Sequence, residues 1–495
     1  MPGGEQAPLA PEQLGELISN ALPERRDASG PINPAFVYLP ASHLKALRPD
    51  SVLISGMRGA GKSFWWNALQ DETVRRLLHE VDPKVQIEER TQVAVGFGEQ
   101  SNIELYPNAG VLADLLGLGL PPRMIWRTVV VRHHVPEGHE LKAADTWKDR
   151  VGWVQAHPEE TAKLLEQRDR ELEQRSTWHI TLFDALDRSA SDWHTMDSLT
   201  RGLLQVALDF RSYRRIRVKC FLREDQLDEG RVGGFPDASK VLGSRIELTW
   251  EREDLYGMLW QYMANAPGPA AGRFRRMAEQ IFKEGFEKLA ASGDPFGIFY
   301  RVPPIEAEAH KILFEEIAGE WMGRGPKRGR TYTWIPNHLA DARQRTSPRS
   351  FLVALRKAAE DTVERYPRHE HALHYESIKA GVRAASDLRV LELGEDYPWV
   401  KVFMDALSGL TVPCDFRDVK KRWEQRRAFE VARTLVSKAK SPLPPSRLDE
   451  GLEGVRQDLE LLGVFQRLGD GRVNIPDVFR IGYGLGRRGG VRPCR

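Results

Sequence analysis

The chain has 495 residues, of which 41% are hydrophobic and 29% charged, with a formal net charge of +2. That length suits about two to four domains, and the composition excludes an intrinsically disordered or collagen-like polymer. No stretch approaches the roughly 18 uninterrupted apolar residues of a membrane span, so no membrane partner is expected.

Three scattered cysteines, Cys220, Cys414 and Cys494, argue against a disulfide framework or a zinc site and fit a reducing, cytoplasmic setting. The start, Met1-Pro2-Gly3-Gly4-Glu5, lacks a basic and apolar leader, so no secretory signal is expected. Charge is distributed unevenly. From Lys421 to Arg495 there are 16 Lys and Arg against 9 Asp and Glu, leaving 56 against 61 in the remainder. A basic C-terminal end points to an anionic partner or, equally, to a solvated positive face.

Residues 1–50, rich in Pro, Gly and Ala, read as a loose N-terminal extension. Ser51-Val52-Leu53-Ile54 is a short buried-strand pattern ending at Gly56, and 64–78 reads as a helix. A second strand is predicted over 86–97, with alternation in Thr91-Gln92-Val93-Ala94-Val95. Residues 111–118 and 123–133 are apolar; Thr128-Val129-Val130-Val131 fits either helix or strand. Residues 138–177 are charged and helix-forming, an insertion between strands. Strands resume at His179-Ile180-Thr181-Leu182-Phe183, Arg217-Val218-Lys219-Cys220-Phe221-Leu222 and Arg245-Ile246-Glu247-Leu248. Strands alternating with helices predict an α/β core over 51–260, a parallel sheet with helices on both faces.

A helical lid (261–365) and a helical domain (366–440) follow, the pattern broken by the basic loop Gly323-Arg324-Gly325-Pro326-Lys327-Arg328-Gly329-Arg330. The Ser441-Pro442-Leu443-Pro444-Pro445 break opens a last module, 441–495. There a helix over 448–462 precedes Asp470-Gly471, a two-residue hairpin signal, which is the ending of a winged helix with a basic tail. Gly482-Tyr483-Gly484-Leu485-Gly486 follows no strand and reads as flexible tail. No internal repeat is visible.

Gly56-Met57-Arg58-Gly59-Ala60-Gly61-Lys62-Ser63 fits the full phosphate-loop pattern, between an apolar strand and a helix. Its glycines let backbone N–H groups turn inward without a Cβ in the way, and the following helix adds its positive end. The expected cofactor contacts are Gly56, Arg58, Gly59, Ala60, Gly61, Lys62, Ser63 and Phe64. Lys62 reaches the β- and γ-phosphates, and Ser63 ligates Mg²⁺. No guanine-reading Asn-Lys-x-Asp motif appears, which favours ATP over GTP. Ile180-Thr181-Leu182-Phe183-Asp184 ends a strand in a carboxylate suited to the magnesium shell, and Asp187 suits the orientation of the attacking water. The bland reading of Asp187 is an acid at a helix start.

The run Phe183-Asp184-Ala185-Leu186-Asp187-Arg188 resembles the Asp-x-Leu-Asp-Arg/Glu element of the NACHT, KAP and related STAND branches of AAA+-like ATPases. Val218 to Asp225 resembles their sensor 1 strand, with Arg223 at its polar end. Phe235 to Arg245 is similar to the segment carrying the AAA+ arginine finger, Arg245. Ser347-Pro348-Arg349-Ser350-Phe351-Leu352 resembles the sensor 2 start of the lid, with Arg349. The resemblance spans about 50–365 and implies that Asp184, Asp187, Arg223, Arg245 and Arg349 carry catalysis. It also implies a homo-oligomer or a partner protein, and a setting such as bacterial anti-phage defence. One departure stands out: Ala185 occupies the place of the usual glutamate after the magnesium aspartate, so slow hydrolysis is expected. Ordinary roles remain open for the arginines: Arg223 paired with Glu224 or Asp225, Arg245 a sheet-edge charge.

His133-His134 with His139 lacks a completed ligand set and reads as partly exposed loop. The 13 tryptophans, including Trp65-Trp66, read as packing residues. The winged helix has two readings. It reads DNA with its 448–462 helix, its wing around Arg472 and its tail through Arg492, or it packs on protein and reports nucleotide state. Asp449, Glu450, Glu453, Asp458 and Glu460 against Arg456 make that helix acidic for a groove reader, which favours the protein contact. The expected function is an ATP-dependent, slowly hydrolysing switch or motor. The alternatives are an ATP-regulated DNA-binding protein or loader and a non-hydrolysing nucleotide-bound scaffold.

Overall fold

The computed structural model describes residues 9–22, 32–290, 298–437 and 443–487. The chain divides into two units. One comprises residues 39–249 and is built on five strands: β1 (Leu53–Gly56), β2 (Gln92–Phe97), β3 (His179–Phe183), β4 (Ile216–Arg223) and β5 (Ile246–Glu247). All pair in parallel, in the order β2-β3-β4-β1-β5. β1 and β3 are buried throughout, and β4 up to its last residue, as strands covered on both faces are. Helix Lys62–Ala68 packs on β1 and β4, Trp193–Asp209 on β4, and Pro122–Arg132 on β2. This is the α/β fold of a P-loop NTPase.

The strand order positions the site. β4 lies between β1 and β3, with Gly56 in register with Arg223 and Phe183 with Cys220. The C-terminal ends of three adjacent strands therefore carry the phosphate loop, Arg223 and Asp184. Ligands in open parallel sheets bind at such ends, where the strand order reverses.

Several local expectations change. The ambiguous segment 128–131 is helical: Pro122 starts the helix, and burial of Thr128 to Val131 outweighs the β preference of that run. The second strand starts at Gln92, because 83–85 form a 3₁₀ turn closed by Gln86 in the left-handed region (φ 58°). The charged insertion forms the helices Glu140–Ala143, Trp147–Ala156 and Pro158–Gln174. His133 and His139 are half-buried outside the helix, close to the partly exposed loop expected, whereas His134 is buried, its ring 4.2 Å from that of His179.

The second unit comprises residue 250 onward together with 9–22 and 33–38. The stretch 1–50 is thus not a loose extension where it is described. Helix Pro11–Ala21 buries Leu14, Leu17 and Ile18 and packs on helix Pro348–Arg365, while Ala41–Leu47 belongs to the sheet unit. Helix Arg252–Ala264, expected inside the 51–260 core, belongs to the second unit as well. Helices Pro348–Arg365 and Tyr375–Asp396 pack closely at Gly381, where any Cβ would collide with the Ala354 carbonyl. An antiparallel hairpin, Glu287–Ala290 with Ile298–Arg301, interrupts the expected helical stretch.

At the C-terminal end, helix Gly451–Leu461 precedes the antiparallel pair Gln466–Arg467 and Val473–Asn474, and Cys414 bridges Val473, a winged-helix arrangement. The wing is one residue longer than the two-residue signal suggests. Leu468 N–H donates to the Arg472 carbonyl at 2.9 Å across Gly469-Asp470-Gly471, with Gly471 left-handed (φ 85°). Residues 482–486 are not a flexible tail. Tyr483 and Leu485 are buried, and Gly486–Arg487 pairs in parallel with Thr411–Val412. The rest of the basic tail, through Arg492, lies outside the described residues. Among the described residues no helix is long and apolar enough to cross a membrane.

Candidate functional site

The phosphate loop leaves β1 at Gly56, where a Cβ would stand 3.1 Å from that of Ala60. Gly59 (φ 80°) and Gly61 (φ 103°) take the left-handed conformation that a side chain resists. A Cβ on Gly61 would meet nothing within 4 Å, so the loop encloses open space rather than packed atoms. Helix Lys62–Ala68 starts directly after it, its first N–H groups and positive end facing that space.

Lys62 folds back over the loop. Its Nζ donates to the carbonyls of Gly56 (2.8 Å) and Met57 (3.0 Å). Burial pulls its ammonium down to about 8, partly opposed by the charge of Asp184. Asp184, 5% exposed, extends from the end of β3, its backbone N–H held by the Phe97 carbonyl at 3.0 Å. Burial pushes its carboxyl up to about 6, against hydrogen bonds from the Ser63 hydroxyl and the Ala185 backbone. A hydroxyl joined to a carboxylate is the hard oxygen pair that suits Mg²⁺, which keeps most of its ligands as water and phosphate oxygen. Among the described residues there is no cluster of three or more His, Cys, Asp or Glu side chains that could hold a metal ion. His133 and His134 belong to no such set.

Beyond Asp184 the backbone turns sharply. Ala185 is left-handed (φ 56°), an uncommon state for a residue with a Cβ, and it redirects the chain into the turn Leu186–Arg188. Asp187 on that turn accepts from the Arg223 Nη1 at 3.3 Å, and Arg223 Nε donates to Asp225 at 3.2 Å. The surface pairing considered for Arg223 is therefore only half right. The partner is Asp225, buried rather than on the surface, and Asp187 is a second acceptor from another strand end.

The structure thus brings Lys62, Ser63, Asp184, Asp187 and Arg223 together. Phe64 lies edge-on to Trp65, 5.0 Å between centroids, and Arg58 is half-buried in the loop. Arg245 is exposed and precedes β5, away from the strand ends that carry the others. Arg349 belongs to the second unit, where its Nη1 donates to Glu392 at 2.6 Å.

Asp225, one of the two partners open for Arg223, fixes it from just past the same strand end. Two contributions were not legible in the sequence. Glu99, just past β2, accepts from Arg188 at 2.5 Å and places a carboxylate beside the Asp184 turn. His43 locks the helix after the loop: Trp65 Nε1 donates to His43 Nδ1 at 3.0 Å, which leaves the proton on Nε2, 3.0 Å from the Thr249 carbonyl. Only the strand order reveals Glu99, and nothing in the sequence marks His43. Trp65 and Trp66 are both buried, packing residues as read. Gly98 is needed beside Trp66, since a Cβ there would stand 2.6 Å from the indole.

Loop, helix and strand order together define a nucleotide-binding protein of the P-loop class. No protein-family model matches the chain, and no curated protein matches it. Among solved structures it is similar to the ORC2 protein of Aeropyrum pernix, determined as ADPNP–ADP complexes, at 13% identity over 90% of this chain and 93% of that one, with a TM-score of 0.29. A score that low leaves the functional reading to rest on this chain's own residues.

Proposed function

We propose that the chain is an AAA+-like ATPase that works as a slow, nucleotide-dependent switch. The observation that carries this reading is the convergence of Lys62, Ser63, Asp184 and Arg223 on the ends of adjacent strands. Magnesium-bound ATP would supply the scissile phosphoanhydride and the cation that screens its charge. The loop N–H groups and Lys62 hold the phosphates. Ser63 and Asp184 hold the cation and its water. Arg223 is poised to leave its carboxylate partners for a γ-phosphate, so nucleotide binding would be felt at Asp187 and Asp225.

Asp187 or Glu99 orients the attacking water, because Ala185 offers no carboxylate. That substitution supports slow turnover. Arg245, exposed, suits a role toward a neighbouring subunit of an oligomer, and Arg349 a role toward phosphate after leaving Glu392. The STAND-type assignment and a setting in anti-phage defence rest on the sequence resemblance alone.

The test is ATP binding by the purified chain, with Lys62→Ala expected to weaken it by at least tenfold. Equal binding by both proteins would refute the reading. A non-hydrolysing scaffold would bind ATP in the same way yet release no phosphate over hours.

A second reading, contact with DNA through the C-terminal module, is supported by a different surface from the one the sequence suggested. Arg456 on helix Gly451–Leu461 is largely buried and paired with Glu453 and Glu460. Cations lie instead on helix Phe416–Gln425 and the turn after it. Arg417, Lys421, Arg426 and Arg427 are exposed and make no ion pair among the described residues.

A further inference from the structure

A cavity opens in the sheet unit at the ends of the strands opposite the phosphate loop. It has a volume of about 440 Å³ and is lined by His79, Pro83, Gln86, Glu88, Glu173, Ser176, Trp178, Arg214 and Arg215. These residues come from the segments that enter β2, β3 and β4. Trp178 lies six residues before Asp184, about 20 Å along a strand, so this cavity is separate from the phosphate loop. Its size falls within the range of small-molecule sites.

Four features mark it as built. Two guanidinium groups, of Arg215 and Arg217, each lie 4.9 Å from the Trp178 ring centroid. Arg217 is locked by Asp50 (2.9 Å) and by the Ile216 carbonyl (2.9 Å). The Arg215 guanidinium has the ring contact and no ion pair among the described residues. Asp169 holds the backbone N–H groups of Arg214 and Arg215 at 2.9 and 2.7 Å, which fixes where both side chains start.

Second, Gln86 (φ 58°) and Ser176 (φ 50°) are non-glycine residues held in the left-handed region, and both line this cavity. Such conformations cost about 1 kcal/mol or more each and gather at ligand sites. Third, His79 Nδ1 is buried with no hydrogen-bond partner, an unusual state for a ring nitrogen. Fourth, the lining carries both signs. Arg214 and Arg215 suit an anionic group, and Glu88 and Glu173 accept from N–H donors, although Glu173 already takes Arg214 at 2.7 Å and Glu88 takes Arg90 at 2.8 Å.

We infer that this cavity binds a nucleoside monophosphate. The base stacks on the flat cationic surface of Arg215 over Trp178, an arrangement guanidinium planes and indoles offer to bases. The exocyclic N–H groups of the base meet Glu88 or Glu173, and a guanidinium receives the phosphate. Because Trp178 leads into β3 and Arg215 into β4, an occupant would press on the two strands that end at Asp184 and Arg223.

The test uses the full chain carrying Lys62→Ala, which removes the phosphate-loop lysine from the measurement. Equilibrium dialysis with AMP and GMP should show one saturable site, and Arg215→Gln in that background should weaken it by at least tenfold. Arg215→Lys, which keeps charge but loses the plane, should weaken it nearly as much. Ribose 5-phosphate should bind far more weakly than either nucleotide. The proposal is overturned if neither nucleotide binds, if Arg215→Gln binds as well as its parent, or if ribose 5-phosphate binds equally. None of these outcomes depends on whether the phosphate loop turns ATP over.

Discussion

Arg223 is where the strand ends meet chemically. It is a fixed cation shared by Asp187 and Asp225 and only slightly exposed, so its removal leaves two carboxylates facing each other without a counter-charge. The Asp187 carboxylate is engaged by Arg223 at 3.3 Å. Glu99 has no such tie to the loop; its partner is the exposed Arg188. The two candidates therefore separate by experiment. Asp187→Ala should lower phosphate release by about 10²-fold or more if it orients the water, while ATP binding stays within a factor of a few. Glu99→Ala should change release little. Single-turnover assays with labelled ATP check both, and the reverse ranking would move the role to Glu99.

Elements show where sequence reading succeeds and where it stops. The phosphate loop and the β3 carboxylate were legible because each is a local pattern: glycines before Lys62-Ser63, four strand residues before Asp184. The pairing of Arg223 with Asp187 was not, since it depends on β4 lying between β1 and β3. The wing was visible at Asp470-Gly471, but its length was not, because the flanking register is set by Cys414 and Val473. The segment 41–50 looked loose because its anchor is remote. Lys219 of β4, fully buried, sends its Nζ to the carbonyls of Ala46 (2.8 Å), Arg48 (2.9 Å) and Ser51 (2.5 Å).

Lys219→Met would leave those three carbonyls short of a donor and should cost about 3 kcal/mol, from the usual penalty for buried unsatisfied groups, read as a lower urea midpoint. Burial draws the Lys219 amine down from 10.5 to about 7. A depressed folded value favours the folded state most above the unfolded pKa and loses that contribution as pH falls through 7. The stability gap between the parent and Lys219→Met should therefore widen from pH 7 toward pH 10. A gap constant across that window would mean that the amine keeps its ordinary pKa.

For the molecule as a whole, net charge conceals segregation. The chain carries only +2, yet the last 75 residues hold 16 cations against 9 anions. The structure divides those cations by use. Arg456 and Arg480 are spent inside the fold, on Glu453 with Glu460 and on Asp477. Lys421, Arg426 and Arg427 face solvent, as does Arg417 just before that stretch, on helix Phe416–Gln425. Protein cations that neutralise phosphates release counterions, and the logarithm of affinity for duplex DNA then falls with log salt at about −0.9 per phosphate contact. Four such contacts give a slope of about −3.6. Substituting all four residues by Gln should bring the slope near zero at low salt. Arg365→Gln, at an exposed arginine paired with Asp361 within helix Pro348–Arg365, should leave it unchanged. Fluorescence anisotropy with a random 30-base-pair duplex between 50 and 200 mM salt measures both. A slope that survives the fourfold substitution would assign the DNA contact to another surface. No binding at 50 mM salt would leave the basic helix as a solvated face and return the winged helix to a protein-contacting role.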